Sequence, residues 1–369
     1  MATDLLLAKQ TLSSRFLRIG VQRATVGLRR TFVVEAAVAA AGQNVHSVGI
    51  GRKVVEGRPT SIMAVRLYVV QKLAPSLIPP RDRLPESING IPTDVIESSP
   101  AFLAVRRVRA LSKPGRRADA SVSASAAEPA CTTNRQKNQR PLVAGISVAH
   151  RDVTAGTLGY FCQSRRLGDD PAKIYVLSNN HVLANVNKGL PGDMVLQPGP
   201  VDGGTMADEI GQLSRFHQLD LSGNPNKIDA AVAELKANVE WRAEICTIGT
   251  ISGTQIGHEG MKIRKHGRTT GYTEGTITDE SYDTIVGMDH NDPSVSAVFQ
   301  SQLRIEPTPP HSAIGRGGDS GSLVVTQSGK DAIGLYFAGP PSGNYGVANR
   351  IEDVLSEMQI ELVTGAATA

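Results

Sequence analysis

Cysteine is scarce in this chain: three residues among 369, at positions 131, 162 and 246. So few and so widely spaced, they exclude a disulfide framework and a CxxC metal site, and all three thiols are expected to be reduced. Long apolar runs are missing too. The best candidate, Phe32 to Ala41, is interrupted by Glu35, so neither a membrane span nor a secretory leader core is expected. Both absences point to the cytoplasm. An organelle transit peptide is the second expectation, because residues 9–30 carry Lys9, Arg15, Arg18, Arg23, Arg29 and Arg30 and no acid. Metal chemistry lacks a motif as well. His258-Glu259 and His266 do not form HExxH, and Gly257 and Gly260 place the first pair in a loop, so no metal and no cofactor are expected. His258, His266, His150, His217, His290 and His311 read as surface histidines, and His46 as an ordinary strand-end residue.

Aromatic residues make up 4% of the sequence, against 37 glycines and 21 prolines. That balance suits a β-rich globular protein with many turns, in which strands outnumber helices. The net charge of +4 conceals an asymmetry. Residues 1–140 hold 22 Lys and Arg against 9 Asp and Glu, giving +13, whereas residues 141–369 hold 17 against 26, giving −9. A basic first part is thus joined to an acidic second part. It has three candidate partners: its acidic neighbour, nucleic acid, or an anionic membrane face.

Leu5, Ala8, Leu12, Phe16 and Ile19 recur at helical spacing, which predicts an amphipathic helical segment within residues 1–42 with arginines on its far side. Short β-rich runs follow at 45–52, 61–71, 93–97 and 102–108, separated by Gly57-Arg58-Pro59, Pro79-Pro80 and Asn89-Gly90 turns. They predict a small basic α+β module over residues 43–110. Residues 111–140 are Ser/Ala-rich, aperiodic and poor in large apolar side chains, so a linker is expected there, cleavable at Arg116-Arg117 and between Arg135 and Arg140. Beyond Leu142 some ten or more short strands alternate with Gly-based turns up to a closing helix at Ile351 to Met358, and residues 363–369 form a tail. Such a series suits a barrel or a sandwich.

Gly315-Arg316-Gly317-Gly318-Asp319-Ser320-Gly321-Ser322 is a costly stretch in entropy, and taken alone it reads as a turn. If Ser320 is a nucleophile, it needs a histidine base and a carboxylate to orient that base. No histidine follows His311, and Ser322 stands where a G-x-S-x-G elbow requires glycine, which removes the α/β-hydrolase order. The order His, Asp, Ser remains. His181 lies where the apolar strand Tyr175-Val176-Leu177 breaks into Ser178-Asn179-Asn180, so it is expected on an accessible turn at a strand end. Asp229 heads the apolar run Ala230-Ala231-Val232-Ala233, which predicts burial and therefore a partner. Asp202 and Asp220 head no such run.

Leu177-Ser178-Asn179-Asn180-His181-Val182-Leu183-Ala184, Asp229-Ala230-Ala231-Val232-Ala233 and Gly318-Asp319-Ser320-Gly321-Ser322 together resemble the motifs of bacterial trypsin-like serine peptidases of the chymotrypsin fold. His266 to Thr278 is similar to a hairpin of streptogrisin-like members. The separations of 48 and 91 residues compare with about 45 and about 93 in the chymotrypsin arrangement. The resemblance covers residues 143 to about 362. It implies a mainly β fold, a double antiparallel β-barrel over residues 141–362 preceded by the small α+β module. It also implies a His181, Asp229 and Ser320 triad, an oxyanion hole from the N–H groups of Gly318 and Ser320, and a peptide substrate. The base of the substrate pocket falls on Ile314 and its wall on Leu335, Tyr336, Phe337, Ala338 and Gly339, which implies apolar or small side chains at the cleaved bond; Arg316 is the residue that would instead favour acidic ones. Two family features depart: the bracing disulfides are missing, and Leu142-Val143-Ala144-Gly145 is a poor activation terminus, which leaves either internal groups to hold Asp319 or activation to come from the basic module. Regulation by the basic N-terminal module is expected. The alternative is an inactive scaffold whose basic module binds nucleic acid, membrane or a regulatory protein.

Overall fold

A computed structural model describes residues 3–18, 44–103, 130–289, 292 and 295–365. The expected mainly β fold with two antiparallel strand systems is what it contains. Six strands close a ring in the C-terminal part. Lys262–Gly267 pairs with Gly271–Gly287 and with Leu323–Thr326, which leads through Ala332–Gly339, Gly346–Arg350 and Ser296–Pro307 back to Gly271–Gly287. Closure removes the exposed edges that an open antiparallel sheet would present. The second system is an eight-stranded sheet that includes Tyr160–Ser164, Tyr175–Ser178, Glu209–Phe216 and Ala231–Leu235. Its fully buried runs, such as Tyr175–Ser178, carry apolar residues without alternation, as strands covered on both faces do.

The basic N-terminal strands join the ring. Val45–Val55 pairs with the far half of Gly271–Gly287, Ser47 opposite Thr284 and Val48 opposite Asp283, and Arg58–Val69 and Ile91–Glu97 extend the same sheet outward. The helix Thr3–Phe16 lies on these strands. Leu5, Ala8, Leu12 and Phe16 are buried with Val45, Val48, Val65, Leu67 and Val69, and each large side chain so covered contributes about 1.5–3 kcal/mol. Ile19 lies outside the described residues, as do 104–108 of the run expected at 102–108. Lys9, on the buried face, forms an ion pair with Asp283 and donates to Ser281 Oγ at 3.1 Å, while Ser13 Oγ donates to Asp283 Oδ2 at 2.7 Å. Arg66 lies 3.7 Å from Glu259. Of the three candidate partners, these basic residues meet the acidic part of their own chain.

Two expectations need correction. Cys131 and Cys246, 115 residues apart, form a disulfide, and only Cys162 is free and buried. Leu142–Ala144 runs parallel to Trp241–Ile245, which carries the short helix Ala130–Asn134 to the strand end beside Cys246. The reducing-compartment argument for the cytoplasm rested on three thiols and falls with them. Residues 130–140, expected as the end of a linker, are instead built in: Arg135 donates to the Arg268 carbonyl at 3.1 Å, and Gln197 Nε2 to that of Lys137 at 2.9 Å. Arg116-Arg117 lies outside the described residues. Among the described residues, no helix is long and apolar enough to cross a membrane, and no group of three or more acidic, His or Cys side chains is placed to hold a metal.

Candidate active site

His181 sits in a single helical turn, Asn180–Leu183, directly after Tyr175–Ser178, and Asp229 two residues ahead of Ala231–Leu235. These two strands pair antiparallel, Ser178 opposite Ala231, so their ends bring the two side chains together. His181 Nδ1 lies 2.5 Å from Asp229 Oδ2, and the His181 backbone N–H donates to Oδ1 at 3.2 Å. A carboxylate only accepts, so Nδ1 carries a proton in this pair, which puts the lone pair of a neutral imidazole on Nε2. That Nε2 is buried and has no hydrogen-bond partner among the described residues. The supports of the pair were not foreseen. Asn349 Oδ1 accepts from the Asp229 N–H at 3.0 Å, and Asn179 Nδ2 donates to the Asp229 carbonyl at 2.7 Å.

Ser320 lies in the loop between Ser296–Pro307 and Leu323–Thr326. Gly318 and Gly321 have φ of 100° and 94°, a left-handed backbone that favours glycine. A Cβ at Gly321 would stand 2.1 Å from Ser178 Oγ, so the loop touches the strand leading to His181. Thr157 links the same parts, its N–H donating to the Ser320 carbonyl at 2.7 Å and its hydroxyl to that of Gly318 at 2.8 Å. The N–H groups of Gly318 and Ser320 donate to no group among the described residues. The Ser320 hydroxyl donates to the Phe337 carbonyl at 3.0 Å and makes no hydrogen bond to His181. An accessible His181 was expected; instead it is 2% exposed and Ser320 0%.

Asp319 is held from inside the molecule. Its Oδ1 accepts from Thr269 N–H at 2.8 Å and Thr270 N–H at 3.1 Å, its Oδ2 from Arg316 N–H at 2.8 Å, and Lys265 Nζ stands 3.7 Å from Oδ2. Burial pulls the Lys265 ammonium below its ordinary range while Asp319 opposes this. A signal for Lys265 was present: Ile263 and Lys265 share the inward face of one strand, and a lysine there needs a buried partner.

The pocket residues divide among three clusters: Ile314 and Tyr336 pack together in one, Phe337 and Ala338 in a second, and Leu335 in a third. Side chains built at Gly315, Gly339 and Gly346 would begin 2.6, 3.0 and 2.3 Å from Tyr336 atoms, so this ring occupies the space those three positions enclose. Burial also pushes its phenol well above the usual range. Arg316 is exposed on the loop.

Other carboxylates and histidines are committed elsewhere. Asp202 pairs with Arg268, and Asp220 caps its own turn through Ser222 and Asn224. His150 and His266 are buried rather than on the surface: His150 Nε2 lies 3.1 Å from Asp193 Oδ2, and burial holds His266 down at about 4 beside the Gly145 carbonyl. His46 is also buried, between Ser47 and the Ser98 carbonyl. His258 is exposed, and His217 and His311 half-buried. His290 lies outside the described residues.

No protein-family model matches the chain, and no curated protein resembles it significantly. Solved structures do. Protease A of Thermobifida fusca is 19% identical, over 60% of this chain and 98% of its own, with a TM-score of 0.42. The Nocardiopsis protease is 18% identical over the same shares with the same score. A glutamic acid specific serine protease is 16% identical over 60% of this chain and all of its own, again at 0.42.

Proposed function

We propose that the chain is a serine endopeptidase acting through His181, Asp229 and Ser320 and regulated by its N-terminal part. The observation that carries this reading is the buried His181 imidazole, fixed by Asp229 at Nδ1 and left with an unpartnered Nε2 beside a glycine-bounded serine loop. A buried base without a partner costs about 1–3 kcal/mol, which a folding role alone does not explain.

In this reading Ser320 Oγ adds to a peptide carbonyl carbon while His181 Nε2 takes its proton. The oxyanion is met by the N–H groups of Gly318 and Ser320, each worth on the order of 3 kcal/mol of barrier. His181 then returns the proton to the departing amine, and water releases the acyl group from Ser320 by the same route. Tyr336 leaves room for a small side chain at the cleaved bond.

A fluorophosphonate probe tests the proposal. Ser320 of the full chain acquires the phosphonyl adduct, located by peptide mass mapping, and Ser320→Ala and His181→Ala do not. The reading fails, in favour of an inactive scaffold, if Ser320 stays unmodified both in the full chain and in the Leu103 variants described next.

A further inference from the structure

Residues Ala101–Leu103 form a strand that does not belong to the ring, yet it pairs antiparallel with Ala332–Gly339: Leu103 stands opposite Ala338 and Phe102 opposite Gly339. The next residue back along that strand is Phe337, whose carbonyl holds the Ser320 hydroxyl. The antiparallel sense means that the chain, passing from Phe102 to Leu103, advances toward Phe337 and Ser320. Leu103 is buried in one apolar cluster with Phe337 and Ala338 from the ring and with Val186 and Leu219, which follow His181 and precede Asp229 in sequence. The approach is anchored as well. Tyr345 donates to the Ser99 carbonyl at 2.6 Å, and a Cβ at Gly287 would lie 2.5 Å from the Phe102 ring.

We propose that residues 101–103 lie in cis along the Ala338 and Gly339 edge in the place of a substrate peptide, so that the chain blocks its own site. The inference rests on the peptidase reading, in which a peptide pairs by its main chain along this edge, and adds to it the occupant, whose aliphatic Leu103 is buried with Phe337 and Ala338. A tethered segment acts at an effective concentration on the order of millimolar, so micromolar substrates do not displace it until it leaves.

Two measurements on the full chain decide the matter. The first is the rate at which the fluorophosphonate labels Ser320 in wild type, Leu103→Asp and Leu103→Ala. Labelling is expected to be at least tenfold faster in Leu103→Asp and several-fold faster in Leu103→Ala, the milder change that stands in if the aspartate prevents folding. The second removes chemistry. In a Ser320→Ala background, a fluorescein-labelled hexapeptide with the sequence of residues 98–103 binds the Leu103 variants and not the chain with Leu103 intact. Equal labelling rates together with no difference in peptide binding overturn the occlusion and leave the peptidase reading standing. Peptide binding restricted to the variants, with no chain ever labelled, upholds the peptide site and removes the peptidase.

Discussion

Lys265 and Asp319 form a pair with both side chains 0% exposed, and Asp319 is the neighbour of Ser320. Removing one member of a buried pair strands the other charge and costs about 3–5 kcal/mol. Lys265→Met is therefore expected to lower stability by about that amount at pH 7 and to slow labelling of Ser320. Adding Asp319→Asn should recover most of the stability but not the labelling, because the amide keeps one acceptor oxygen and turns its NH2 towards either the Thr269 and Thr270 N–H groups or that of Arg316. Urea midpoints of the two variants check this; a single variant as stable as wild type would refute it.

Tyr336 fills the space between Gly315, Gly339 and Gly346. Tyr336→Ala should open that space, raising kcat/KM for bulky apolar side chains at the cleaved bond relative to alanine by roughly 10–200-fold, the range one methylene or a few can produce. The same change costs about 3–5 kcal/mol of core packing. A specificity profile over a peptide library, taken on the Leu103→Ala background, gives the answer, and an unchanged profile would show that the ring does not limit the pocket.

Asp279 and His266 oppose each other in acid. Burial raises Asp279 to about 6 against an ordinary 3.8, with the Ser281 and Ile50 N–H groups, Arg66 and Lys9 working the other way. The folded state then binds the proton first, so Asp279 makes the protein more stable as pH falls through 6. His266, held at about 4 against 6.5, does the reverse: the unfolded chain takes the proton first, and stability falls from pH 6.5 towards 4. Asp279→Asn removes the gain only. Between pH 7 and 5 it should lose on the order of 1 kcal/mol more than wild type does, and thermal melts at the two pH values measure it. Parallel slopes would contradict the assignment.

The Cys131–Cys246 bridge closes a loop of more than a hundred residues. Cys131→Ser with Cys246→Ser should cost about 2–4 kcal/mol. Alkylation before and after reduction under denaturing conditions should count one and three reactive thiols, and three before reduction would exclude the bridge.

Local signals carried far in this chain. The closing helix Ile351–Met358 and the strands around His181 and Asp229 follow from periodicity and from where polar residues interrupt it. Glu209–Phe216 is harder, because Gly211, Ser214 and Arg215 break its alternation; Gly211 is there because a Cβ would lie 2.1 Å from the Glu234 carbonyl. What sequence pattern does not encode is which distant strand completes an edge. Val45–Val55 and Ala101–Leu103 were legible as strands, but not as partners of residues 284 and 338. The candidate triad residues were legible through order and motif, and the burial of Asp229 through the apolar run behind it, whereas the burial of His181 and Ser320 was not.

The pairing of Ser47 with Thr284 spans 237 residues, and a hydrogen bond between their hydroxyls closes it. During synthesis, Val45–Val55 leaves the ribosome roughly ten to fifty seconds before its partner strand, at common elongation rates of about 5–20 residues per second. Through that interval Val45, Val48 and Ile50 lie on an edge that Arg58–Val69, the N-terminal helix and the side chains of Leu84, Ile88, Ile91 and Val95 are left to shield. On the proposed reading the chain thus emerges with its blocking segment already made and the serine it covers still to come, so a peptidase centre would be assembled beneath its own cover.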